Sequence, residues 1–188
     1  MDDAALLILL ISCLDAGIAQ YNGYGDAVPQ LPAGTIAQKA FQSRQEGAPD
    51  APAIIVNLSR LVPRGYPRKR NNWNLSTGVM TRTHGQRMEA TFHVEALVPQ
   101  SPATPAAMTE AGVLNVARYI LQNDATIATL LAQGVRLFRI DKMDSNYIKD
   151  DKDQNENVPF FEITFTYRTA IVESTPFVDN FNPVFGRV

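Results

Sequence analysis

The chain has 188 residues, 45% of them hydrophobic, and a formal charge of -2, enough for one well-buried core and no global attraction to nucleic acid or membrane. Its single cysteine, Cys13, excludes an internal disulfide and a cysteine-built zinc site. His84 and His93 lack the i, i+4 spacing of a helical metal pair, and neither a Gly-rich phosphate loop nor a G-x-S-x-G elbow occurs, so the sequence reads as a non-enzyme without a cofactor.

The start, "MDDAALLILLISCLDAG", has an apolar run the length of a signal-peptide core, but Asp2 and Asp3 stand where such a peptide is positive. Acidic residues suit the positive end of a helix dipole, which predicts a helix over about residues 2–20. Being apolar nearly all round, it is expected to lie buried in the domain or against another subunit. Residues 22–52, rich in Gly, Pro, Gln and Ala, read as an extended connection. "AIIVNLSRL" is the first clear strand, and Pro63 is expected to end it. "STGVMTRTHGQRMEATFHVEALV" reads as a hairpin turning at His84 and Gly85; its second arm alternates Met88, Ala90, Phe92, Val94 and Ala96 with polar residues, the pattern of a half-buried strand.

"MTEAGVLNVARYILQND" places Val113, Val116, Ala117, Ile120 and Leu121 at helical spacing. Asp124 then caps a short helix, "ATIATLLAQ", which Gly134 closes. "VRLFRI" and "FFEITFTYRTAIV" are the last strands, the second with Phe161, Ile163, Phe165 and Tyr167 on one face. Strands in runs with segregated helices predict an α+β domain over residues 1–173, its mainly antiparallel sheet covered on one face by helices and carrying long loops. Residues 174–188 read as an extended C-terminal arm with Phe177, Phe181 and Phe185 as anchors, docking on its own domain or on another chain; Pro176 and Pro183 exclude a continuous helix.

Two surface features invite a functional reading. "DKDQNENVPFFE", residues 151–162, spaces Asp151, Asp153, Asn155, Asn157 and Glu162 like a calcium loop, but Glu156 stands where that loop needs glycine and strands rather than helices are predicted on either side. It therefore reads as an acidic hairpin loop with no metal, and Asp150, Asp151 and Asp153 become interface candidates. From Arg60 to Arg87 the chain carries seven basic residues and no acid, interleaved with Tyr66 and Trp73. Arg64, Arg68, Lys69, Arg70 and Trp73 are the interface candidates there, paired with acidic residues of a neighbouring copy or, alternatively, tracking a nucleic-acid backbone. Complementary charged loops on one chain suggest a ring.

Several separated stretches together resemble the bacteriophage gateway or neck proteins, which are similar to tail terminators. "AFQSRQEGAPDAPAIIVNLSRLVPRGYPRKRNNWN" is similar to a segment that runs through a strand into a Gly-aromatic-Pro-basic turn, and "MEATFHVEALV", "VARYILQNDATIATLLAQGVRLFRI" and "DDKDQNENVPFFEITFTYRTAIVESTPFVDN" follow in the same order. The resemblance spans roughly residues 40–180 and implies a virion structural protein that forms a ring, hexameric, joining the head connector to the tail tube and terminating the tail. The implied partners are further copies of the chain, head-tail connector or collar proteins, tail-tube and sheath proteins, and DNA passing through the lumen without sequence-specific binding; no membrane is implied. Assembly in the host cytoplasm follows from the same resemblance. Two rival readings stand beside it: a nucleic-acid-binding module using residues 60–87, and a calcium-dependent binding protein.

Overall fold

A computed structural model describes residues 2–25, 28–39, 52–74, 76–98, 108–149 and 155–176. Three helices, α1 (Asp3–Asn22), α2 (Glu110–Gln122) and α3 (Asp124–Ala132), accompany six strands: β1 (Ile36–Lys39), β2 (Ala53–Asn74), β3 (Val79–Leu97), β4 (Arg136–Ile140), β5 (Asp144–Lys149) and β6 (Asn155–Pro176). They form one sheet in the order β1-β2-β3-β6-β4, with β5 also paired to β6. Only the β1 to β2 pairing is parallel. The architecture is α+β, as the pattern of elements predicts.

The helices cover one face. Alternation brings Ala90, Phe92, Val94 and Ala96 of β3 and Phe161, Ile163, Phe165 and Tyr167 of β6 to that side, and all are buried. The Phe92 and Phe165 rings meet edge-on, 6.0 Å apart, at its centre. From α2 come Val113, Val116, Ala117, Ile120 and Leu121, the stripe expected from the 3.6-residue period. Helix α1 begins where its sequence dictates: the Asp2 carboxylate caps it by accepting a hydrogen bond from the Ala5 amide at 2.7 Å. It crosses α2 closely at Gly17, where a Cβ would lie 2.1 Å from Ile120 Cγ2.

Helix α1 is buried in the domain along one side, where Leu6, Leu10, Cys13, Leu14 and Ile18 face the core, while Ile8 is 58% exposed. Three local expectations are corrected. The connection of residues 22–52 contains a strand, β1, whose Ala37 amide is held by Asp15 Oδ1 of α1 at 3.0 Å. Pro63 does not end β2, because a proline is tolerated on an edge strand that needs no donor on its outer side, and bulges at Leu58/Arg60 and Arg64/Arg68 absorb the irregularity. The hairpin does not turn at His84 and Gly85, which lie in mid-strand opposite Lys69 and Arg68. It turns at Ser76–Gly78, where Asn74 Oδ1 accepts from the Ser76 amide at 3.1 Å and Gly78 supplies a φ of +60°.

The segments flanking the former calcium-loop candidate are both strands, β5 and β6, and Glu162 turns away from the core to accept a hydrogen bond from Ser59 at 3.1 Å. Thr109 caps α2, and Asn123 rather than the expected Asp124 caps α3 by accepting from the Ala125 amide. Gly134, at φ +75°, follows α3 as predicted.

Candidate functional site

Because β2, β3 and β6 are 22, 19 and 22 residues long, they run far past the helices. Residues 60–74, 79–89 and 167–176 make a three-stranded blade with β3 in the middle. Its two margins are open among the described residues, since β1 pairs β2 only along Ala53–Val56, and β4 and β5 pair β6 only up to Thr166. Open edges present unpaired backbone donors and acceptors, a natural place for another chain to join.

The blade is strongly basic. Residues 60–89 hold seven basic residues and one acid, and residues 167–176 add Arg168 and Glu173. The blade is thus six charges positive in a chain of net charge -2, and the remainder is eight negative.

Pairing sorts these charges by face, because residues directly opposite each other project to the same side. Arg60 lies opposite Thr91, Arg68 opposite Gly85 and Arg70 opposite Thr83, while Arg64, Arg87 and Arg168 form one row across all three strands. Six arginines therefore occupy the face away from the helices. Lys69, opposite His84, Arg82, opposite Asn71, and Trp73, opposite Met80, lie on the other face. Arg64, Arg68, Lys69, Arg70 and Trp73 are all on β2 and exposed, but the structure divides them between the two faces.

One pair on the arginine face is closed. The Arg64 Nε donates to Glu89 Oε2 at 2.7 Å and its Nη2 to Oε1 at 3.1 Å. This bond holds the Glu89 carboxyl below its ordinary value against the opposing effect of burial, with the charges of Arg64, Arg139 and Arg60 adding to it. The neighbouring bulge, where Gly65 takes a φ of +71°, is tied by the Gln86 side chain, which donates to the Arg64 and Gly65 carbonyls at 3.0 and 2.9 Å. Beside it Tyr66 is 96% exposed, and Ile171 and Val172 stand out from β6.

Where β4 begins, a cleft of about 510 Å³ opens between the α3–β4 turn and the sheet, with Arg87, Arg136 and Arg168 in its walls. Tyr167 lines it too, its phenol raised above the ordinary tyrosine value by burial and then by Asp3 and Asp2 at the start of α1. Sequence reasoning passed over Arg136 and Arg168. The signal for Arg168 was present: it follows Tyr167 in an alternating strand and so must face away from Phe161, Ile163 and Phe165.

The remaining interface candidates, Asp150, Asp151, Asp153, Phe177, Phe181 and Phe185, lie outside the described residues. Among the described residues no group of three His, Cys, Asp or Glu is placed to hold a metal ion.

The fold is thus that of an α+β protein, a helix-backed sheet extended into an open-edged, charged blade. Residues 5–177 match the family described as E217 gateway protein gp29, and the chain belongs to that family. It is therefore a structural protein of the phage virion, a gateway protein that contacts other head and tail proteins. No curated protein matches it.

Proposed function

We propose that the protein assembles into a ring of identical subunits, six by the family resemblance, that joins the head connector to the tail tube, terminates the tail and leaves a channel for DNA. The observation that carries this reading is the division of the chain into a blade six charges positive and a remainder eight negative. A basic blade and an acidic remainder on one subunit favour head-to-tail contacts with the next copy, which close into a ring where the rotation from one subunit to the next permits it.

In this assembly Arg64, Arg68, Lys69, Arg70 and Trp73 belong to the basic side of the contact, Asp150, Asp151 and Asp153 to the acidic side, and Phe177, Phe181 and Phe185 anchor the arm on a neighbour. The ring meets connector or collar proteins above and tail-tube and sheath proteins below, and forms in the host cytoplasm before joining the particle. Electron microscopy and mass photometry of the purified chain, alone and with tail tubes, test this. Rings with a central hole are expected; monomers alone, with no attachment to tubes, would overturn it.

The six-arginine face supports a second reading, a nucleic-acid-binding module acting through residues 60–87. That reading requires DNA retention that falls as salt rises and is lost in the Arg68→Ala, Lys69→Ala, Arg70→Ala variant. No mobility shift at low salt would remove it.

A further inference from the structure

We propose that Arg87, Arg136 and Arg168 form a receptor for carboxylates, and that its occupant is the acidic segment of residues 150–156 from a second copy. This rests on the ring reading and adds, beside its basic candidates, the residues that receive the acidic segment.

The receptor follows from an unresolved repulsion. Arg64, Arg87 and Arg168 stand in one row across three adjacent strands, where facing residues are only about 5 Å apart and like charges destabilise the sheet. Glu89 closes a bidentate pair with Arg64 and also shares its charge with Arg139 and Arg60, but no hydrogen bond or ion pair joins it to Arg87 or Arg168 among the described residues. Arg87 and Arg168 have no ion pair or side-chain hydrogen bond among the described residues.

Arg136, set opposite Thr166 on β4, brings a third unpaired guanidinium to the same cleft. Among the described residues the walls of this cleft of about 510 Å³ carry three cations and no acid, which suits it to an anion. Arginine suits a carboxylate in particular, since its planar fork can grip both oxygens, as Arg64 already does with Glu89 on this face.

Charge complementarity selects the occupant. Residues 150–156, the β5–β6 connection with the first two residues of β6, read "DDKDQNE", four acids against one lysine, and belong to the part of the chain that is eight charges negative. A duplex would meet the exposed rim at Arg68 and Arg70 and be repelled by that acidic remainder, whereas the cleft is walled by the α3–β4 turn at Gln133 and Gly134 and admits a side chain.

The test is a reciprocal charge swap in the full chain, read by mass photometry and electron microscopy. Arg87→Glu with Arg168→Glu is expected to lower the ring fraction at least tenfold, as is Asp150→Lys with Asp151→Lys and Asp153→Lys, and the combined variant is expected to recover rings. The milder Arg87→Gln, Arg168→Gln pair, with its fold checked by circular dichroism, is expected to lose rings as well. Rings that persist in either charge-swapped parent or in the folded glutamine variant overturn the receptor while leaving the ring reading intact.

If the wild-type chain forms no ring, the ring reading fails separately. The receptor is then tested on the monomer with a labelled peptide of residues 147–158 and a 12-base-pair duplex. Peptide binding weakened at least tenfold by the glutamine pair supports it; no peptide binding, or binding of the duplex in its place, overturns it.

Discussion

Gly17 is the residue with the least room to change. A methyl group there would meet Ile120 Cγ2 at 2.1 Å, and Ile120 is itself buried, so the side chain has no solvent to retreat into. Gly17→Ala gains helix propensity yet overpacks the α1–α2 contact; the expected outcome is a net loss of about 1–3 kcal/mol, read from the urea midpoint. Phe92→Ala, which empties the centre of the core, is expected to cost about 3–5 kcal/mol. Glu89 gives a pH signature. Its folded-state value is depressed, so the stability it contributes is present above the unfolded value and is lost as pH falls through the folded one. Melting temperatures measured from about pH 5 down to about pH 3 should fall less steeply in Glu89→Gln than in the parent. Equal slopes would mean that solvent screens the Arg64 pair completely.

At the scale of elements, what could be read in the sequence depended on whether packing or pairing decides. The helices and the core-facing arms of β3 and β6 were legible because burial imposes a period: every second residue from Ala90 to Ala96 and from Phe161 to Tyr167 is apolar. Beyond Met88 and Tyr167, which pack on the core, the blade carries no such period, and its composition of Arg, Asn, Thr, Gly and Pro imitates a loop. Gly85 looked like a turn, but it lies inside the β3 ladder, opposite Arg68 just past the bulge, and the true turn lay seven residues earlier at Gly78. Strand β1 was hidden for a different reason: four residues held by a side chain of α1 leave no pattern to find. One physical consequence is that each long strand should be stable at one end only. Hydrogen exchange is expected to be slow at Ala90–Ala96 and Phe161–Phe165, and much faster at residues 68–74, 79–84 and 170–175 of the isolated chain. In the assembled state the blade should gain protection, whereas unchanged exchange there on assembly would exclude it from the interface.

For the whole molecule the question is which force would bring copies together. The basic candidates were visible in the sequence as a run, but their division into two faces, and the addition of Arg136 and Arg168 from distant segments, needed the sheet register. Two forces are available on the blade: the charge split, and exposed apolar side chains including Tyr66, Ile171 and Val172. Salt separates them. The Debye length shrinks from about 30 Å at 0.01 M to about 3 Å at 1 M, so attraction between a blade six charges positive and a remainder eight negative fades over that range. Apolar burial does not fade, and strengthens in sulfate. If charge complementarity guides assembly, its rate, followed by light scattering, should fall at least tenfold between 0.05 M and 0.5 M sodium chloride, on the order of the acceleration known for electrostatic steering. Rings that bury Tyr66, Ile171 and Val172 should, once formed, dissociate far less. A rate that rises with sodium sulfate and ignores sodium chloride would show instead that the exposed apolar residues drive association and that the charge split only sets its direction.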